Sequence, residues 1–254
     1  MITIQYASDL HLEFADNWRY LKQHPLKVCG DVLILAGDIG YLSDENYSDH
    51  PFWDWVSENY NQVYCCMGNH EFYKYFDVAT LRNGYCMRIR PNVHSFYNGI
   101  VHLHDTDIIL STLWGYIPLK EAYYTESVVT DFRRILYKGE LMTFATFNEE
   151  HRRCLTFIKQ AVADSDAKHK IVVTHHVPSF KLQQEKFKDS KANGAFTVEL
   201  SDYIEDSDID YWIYGHSHYN KKLMIGRTRC VSNQLGYVFA NEHDTFNPVA
   251  VLSV

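Results

Sequence analysis

Long apolar runs are missing from this sequence. The longest, such as Val32-Leu33-Ile34-Leu35-Ala36, fall far short of the ~20 residues that a membrane helix needs. No cationic segment precedes an apolar stretch, and Asp9 interrupts the first one, so a signal peptide is not expected. Positive charge is also scarce: 24 Lys+Arg stand against 32 Asp+Glu, for a net charge of −8. A chain this acidic does not hold nucleic acid or anionic lipid through its overall field. No CxxC pair occurs among Cys29, Cys65, Cys66, Cys86, Cys154 and Cys230. With 254 residues the chain builds a core without disulfides. The cysteines therefore read as reduced, mostly buried small hydrophobes of a cytoplasmic protein. No internal repeat, low-complexity tract or Pro/Gly/Ser linker interrupts the chain, so residues 1–254 read as a single domain.

What remains is an ordinary globular composition, 46% apolar and 22% charged. Two residue types stand out, with 14 histidines and 19 tyrosines. Histidine is the commonest metal ligand, although abundance alone proves nothing.

Short β-branched and apolar runs recur along the chain and predict strands. They cover Ile2–Ala7, Val32–Ala36, Val63–Met67, Ile100–His104, Ile108–Leu113, Ile171–Thr174, Tyr211–Tyr214, Thr228–Ser232 and Val249–Val254. Helical spacing appears over Phe52–Tyr60, over Phe147–Ala163 and over Val198–Ile204. Strands alternating with helices make this an α/β protein. The stretch from Trp114 to Leu141 has no clean period and is rich in aromatics. It reads as a long loop with short helical pieces, a form that often builds a lid or binding wall. Trp114, Tyr116, Tyr123, Tyr124 and the Arg133-Arg134 pair are its candidates for contact with a ligand.

Polar residues follow five of the strands in a consistent way. Ile4–Ser8 runs into Asp9-Leu10-His11, and Leu33–Gly37 into Asp38. Val63–Gly68 runs into Asn69-His70-Glu71, Ile171–Thr174 into His175-His176, and Tyr211–Gly215 into His216-Ser217-His218. Ligands of open α/β sheets bind outside the carboxyl ends of the strands, so these five strand ends describe one convergent site. Gly37, Gly68 and Gly215 each precede a polar residue at a strand exit, where glycine permits a sharp turn. The i,i+2 spacing of Asp9/His11 and of His216/His218 places each pair on one face if the chain is extended. Each fragment alone has a bland reading as a turn residue or a satisfied loop histidine. All five in order, each after an apolar run, exceed what chance supplies.

The set Asp9-x-His11, Gly37-Asp38, Gly68-Asn69-His70-Glu71, His175 and Gly215-His216-Ser217-His218 resembles the calcineurin-like metallophosphoesterases, with every motif block present. Leu113-Trp114, Asp131–Ile135, Thr228-Arg229, Asn233 and Gly236-Tyr237 resemble, more loosely, a branch of small bacterial members with no settled substrate. The resemblance implies a four-layer sandwich: two mixed β-sheets packed face to face, flanked by helices. It also implies a dinuclear metal centre. Asp9, His11, Asp38 and His218 would hold one metal, and Asp38 would bridge to a second held by Asn69, His175 and His216. His70 would lie beside the metals without binding them.

The chemistry fits those residue types. Two divalent cations are only partly offset by carboxylates, so the centre would attract a phosphate ester, and a metal-bridging hydroxide would attack phosphorus. The absence of cysteine from the set leaves Mn, Fe, Zn, Co or Ni open. His70 would act as general acid or as an electrostatic stabiliser. Glu71 would orient a neighbour, and His176 would face substrate or support a ligand. Tyr41 makes a Gly-Asp-x-x-Tyr pattern like that of the purple acid phosphatases, which lack the histidine that His11 supplies here. Packing is the simpler role for it. The expected function is hydrolysis of a phosphomonoester or phosphodiester with a small or nucleotide-like organic part. A nuclease would need a basic groove, and the one dense basic run, Lys181 to Lys191, is broken by Gln, Glu and Asp. A non-catalytic scaffold would tolerate lost ligands, and none is lost.

Overall fold

The computed structural model describes residues 2–254. Its first sheet contains β1 (Thr3–Ala7), β2 (Val32–Ala36), β3 (Gln62–Cys66), β5 (Tyr85–Arg90), β6 (Val93–Tyr97) and β15 (Val251–Ser253), in the order β15-β1-β2-β3-β6-β5. Its second contains β7 (Gly99–Leu103), β8 (Thr106–Ser111), β11 (His169–Thr174), β12 (Tyr211–Ile213), β13 (Lys222–Ile225) and β14 (Thr228–Val231), in the order β13-β14-β12-β11-β8-β7. In each sheet the inner strands run parallel and both edge strands are antiparallel. Both are therefore mixed, as the sequence implied. A small third sheet pairs β4 (Phe76–Asp77), β9 (Ile135–Tyr137) and β10 (Glu140–Leu141).

The two large sheets bury a common layer between them. Ile4, Ile34 and Cys66 of the first meet Leu110, Val173 and Ile213 of the second. The alternate residues of the same strands face outward and are buried too. Leu33, Leu35 and Val63 pack beneath α1 (Ala15–Gln23) and α2 (Pro51–Asn59). Ile109, Val172 and Trp212 pack beneath α5 (Phe144–Asp164) and α6 (Ser201–Asp206). Burial on both faces is why β2 reads as an unbroken apolar run rather than an alternating one. The order of layers is helix, sheet, sheet, helix.

Local chemistry sets the helix ends. Pro51 opens α2, where its missing N–H removes no bond, and the His50 ring accepts from Phe52 N–H at 3.3 Å. Thr143 caps α5 through a reciprocal pairing with Thr146. Deleting that cap would cost about 1 kcal/mol.

Each sequence-predicted strand is present with ends shifted by a residue or a few. The pattern missed β5, β6 and β13, whose Arg, His, Ser and Lys residues break the apolar signal. It also missed α1, which buries only Asn17 and Leu21. The stretch after Trp114 holds α3 (Ala122–Val128) and α4 (Asp131–Arg134) besides β9 and β10. All six cysteines are free; four are buried, as expected for most of them, and Cys29 and Cys86 are exposed.

Candidate metal centre

Parallel strands aligned in both sheets bring their carboxyl ends to one edge of the sandwich. There the chain must reverse within one or two residues of each strand, and five polar residues do so in the left-handed backbone region. They are Asp9 (φ 54°), His11 (φ 48°), Asp38 (φ 55°), His216 (φ 72°) and His218 (φ 47°). The i,i+2 pairs therefore converge through left-handed turns, not through extended chain as the spacing suggested. This conformation costs ~1–2 kcal/mol per non-glycine residue, and such strain concentrates at functional sites.

The three glycines serve two purposes. Gly37 has φ +85°, which side chains avoid. Gly68 and Gly215 are there for space: a Cβ would lie 2.2 Å from Asp38 Oδ1 at the first and 2.7 Å from Asp9 Oδ2 at the second. Hydrogen bonds then fix the carboxylates. His216 N–H donates to Asp9 Oδ1 at 2.9 Å, Ser8 Oγ–H donates to Asp9 Oδ2 at 2.5 Å, and His70 N–H donates to Asp38 Oδ1 at 2.9 Å. Glu71 accepts from the backbone N–H groups of Asp38, Ile39, Gly40 and Gly68. It ties the β2 and β3 exits together. Burial and the nearby Asp38 push its pKa up to about 7.

Three groups of donor atoms result. His11, Glu13 and His70 form one at the rim, where Glu13 already pairs with both imidazoles. The other two are Asp9, His11 and His218, and Asp38, His175 and His216. Asp38 faces both, with Oδ1 at 3.3 Å from His175 Nε2 and Oδ2 at 3.7 Å from His11 Nε2. Asn69 Oδ1 lies 2.9 Å from His175 Nε2, and the amide is oriented by donating from Nδ2 to Asp131 Oδ1 at 2.9 Å.

The imidazoles are held from behind. His175 Nδ1–H donates to Ala36 O at 3.0 Å, His11 Nδ1–H to Glu13 Oε1 at 3.0 Å, and His218 Nδ1–H to Glu242 Oε2 at 2.5 Å. Each Nε2 is thereby turned inward. His11 Nε2 and His218 Nε2 lie 3.1 Å apart, and His175 Nε2 lies 3.0 Å from His216 Nδ1. Bare lone pairs at that separation repel unless a proton or a cation lies between them. Buried carboxylates, an amide oxygen and inward-facing imidazoles are the donors that first-row divalent cations take, so the residues fit the metals the sequence implied.

The electrostatics carry the same signature. Burial would raise the Asp38 carboxyl, but His175 and His70 beside it hold it well below the usual range. Burial would lower His175 and His218, but Asp38 raises the first to about 9, and Asp9 with Glu242 raises the second to about 10. His216 and His176 stay well below the ordinary value because they are buried beside other imidazoles.

His70 lies at the rim of both groups. Its Nδ1 is 2.8 Å from Glu13 Oε1, its Nε2 is 3.3 Å from Tyr237 OH and 4.0 Å from Asp38 Oδ2, and its ring stacks on Tyr73. Burial opposes protonation of His70, but Asp38 and Glu13 overcome it and raise its pKa. His176 donates from Nδ1 to Thr112 O, and its ring lies against His216 at 4.2 Å.

Two substrate candidates lie elsewhere. Trp114 is fully buried, packed on Phe72 and Phe147. Arg133 is exposed and donates to Ser127 O. Tyr123 is 89% exposed, and Val128–Asp131 is the part of that segment that lines the cavity over the site. Tyr41 stacks loosely toward His70 and Tyr73. Sequence reading missed Glu13, Tyr73 and Glu242 as site residues, and it quoted Tyr237 only within the looser resemblance. Glu13 had a signal, as a second acid four residues after Asp9. Tyr73 and Glu242 reach the site from turns with no local signature.

A sequence model of the calcineurin-like phosphoesterases matches residues 2–220. The chain belongs to that family. It is 28% identical, over 100% of its length and 97% of the other's, to the uncharacterised protein L509 of Acanthamoeba polyphaga mimivirus. Its fold is similar to that of phosphopantetheinyl hydrolase (PptH) from Mycobacterium tuberculosis, with a TM-score of 0.70 at 14% identity, covering 98% of this chain and 95% of that one. The protein TT1561 of Thermus thermophilus is a more distant structural neighbour, with a TM-score of 0.47 at 14% identity, covering 92% and 89% of the two chains. No helix among the described residues is long and apolar enough to cross a membrane.

Proposed function

We propose that this protein hydrolyses a small phosphoric ester at a centre of two divalent cations. Asp9, His11, Asp38 and His218 hold one cation, and Asp38, Asn69, His175 and His216 hold the other. The observation that carries this reading is Asp38, whose two carboxylate oxygens face different sets of inward-turned donors. When bound, the cations supply Lewis acidity that activates water and offsets phosphate charge.

The chain's own residues do the rest. Glu13, Ala36 O and Glu242 fix which nitrogen His11, His175 and His218 present. Asp131 fixes the amide orientation of Asn69. His70, its pKa raised by Asp38 and Glu13, donates a proton from Nε2 to the departing ester oxygen. Tyr237, at hydrogen-bond distance from that nitrogen, aims it.

The test is to strip the protein, reload it with Mn, Zn, Co, Ni or Fe, count the ions and assay aryl phosphate monoesters and diesters. Two ions per chain with metal-dependent turnover is the expected result. One ion per chain, or turnover indifferent to metal, would overturn the proposal.

A further inference from the structure

The cavity over the donor groups has a volume of about 820 Å³, at the upper end of the range of small-molecule sites. It is far larger than a phosphate needs, so most of it accommodates the organic part of a substrate. Its charged lining is one-sided. Lys186 is the sole Lys or Arg in it, set against Asp38, Asp131, Glu242 and Asp244. Lys186 itself is exposed and lies 4.8 Å over the ring of Phe187. Two divalent cations less the charges of Asp9 and Asp38 leave about two positive charges, enough for one phosphate dianion. Apart from the imidazoles at the donor groups, a second phosphate would find no built cationic partner in the wall.

The apolar lining is placed to take a ring. Phe196 packs one face on His216 at 4.8 Å and 27°, yet remains 38% exposed. Its other face is therefore open to the cavity, directly beside a donor histidine. Phe187, 47% exposed, and Val128, 45% exposed, line the same space. Exposed aromatic and aliphatic side chains gathered in a concavity mark a binding surface. Stacking on such a ring tolerates any flat π-system.

We propose that the site is built for a phosphoester with one phosphate and a planar aromatic group, either an aryl ring or a nucleobase, stacked on the open face of Phe196. This rests on the metallophosphoesterase reading above and narrows it.

Phosphonates test it without interference from leaving-group reactivity. Titration calorimetry on the metal-loaded protein should show phenylphosphonate binding at least ~10-fold tighter than methylphosphonate. Phe196→Ala should reduce that ratio to about 2 or less at unchanged metal content, Phe196→Leu should reduce it in part, and Phe196→Tyr should keep it. Adenosine 5′-monophosphate beside phenylphosphonate tells a base from a simple aryl ring. Adenosine 3′,5′-bisphosphate should bind no tighter than the monophosphate. Equal binding of phenyl- and methylphosphonate, a ratio untouched by Phe196→Ala, or a tenfold gain from the second phosphate would each overturn the proposal and leave the metallophosphoesterase reading standing. Binding of no phosphonate at all would remove both.

Discussion

Asp38 and His70 lie within 4.0 Å of each other and are expected to fail in different ways. Asp38→Asn removes the one charge that faces both donor groups, so it should weaken both metals together. His11→Ala removes a donor from one group and should weaken mainly that metal. Metal analysis separates the two, and two retained equivalents in Asp38→Asn would refute the bridge. His70 contributes no atom to either Asp38-linked donor group. His70→Ala should keep both metals and lose ~10²–10⁴ in turnover of esters with poor leaving groups. A nitrophenolate departs without a proton, so nitrophenyl esters should lose much less. Equal losses on both substrates would make His70 an electrostatic clamp rather than an acid. Glu13 holds His11 and His70 through one oxygen although the two rings come from different strand ends.

At the scale of elements, the left-handed turns after β1, β2 and β12 link fold and function. They aim the side chains inward at the expense of backbone strain. In metal-free protein the strain remains and the benefit is gone. His11→Gly should then be more stable than His11→Ala by about 1 kcal/mol, because φ 48° suits glycine. Urea unfolding of the two variants in chelator measures this, and equal midpoints would show that the turn stores no strain. The Trp114 to Leu141 stretch teaches a second lesson. Its aromatics looked like a binding wall, but Trp114 went to the core and Tyr123 to solvent. Burial drew Trp114 behind the site, where its ring lies 5.4 Å from that of His176, and left Tyr123 outside. The wall is provided instead by Val128–Asp131 and by the turns carrying Phe187 and Phe196.

For the whole molecule, a buried histidine away from the site is expected to contribute to the loss of stability in acid. His151 of α5 is buried and donates to the Leu113 and Trp114 carbonyls. Burial lowers its pKa, and the two carbonyl bonds reverse this only in part. The unfolded chain binds a proton near pH 6.5, whereas the folded chain refuses it until a lower pH. Stability that is full above the unfolded value is therefore lost as pH falls from about 6.5 toward the folded value. His151→Gln should show a smaller drop in the urea midpoint between pH 7.5 and pH 5.5 than the parent does. An identical drop would place the acid sensitivity elsewhere. His176 is lowered in the same direction by burial, so the variant removes part of the slope and not all of it.

The sequence alone determined most of the buried strands and the order of the polar residues that follow them. Apolar runs marked most of the inner strands because burial on both faces favours unbroken apolar sequence, whereas His94 and Ser95 hid the inner strand β6. Asp, Asn and His placed directly after those runs marked the site because strand exits are where backbone turns and ligands meet. These signals are local and survive in a one-dimensional reading. The tertiary structure decided what depends on chain separation. It brought Glu13 to His70 across 57 positions, Asp131 to Asn69 across 62 and Glu242 to His218 across 24. It also decided that Trp114 fills the core while Phe196 opens onto the cavity. An aromatic residue carries the same apolar area in either place, and only the packing of its neighbours determines whether that area is buried or left to meet a ligand.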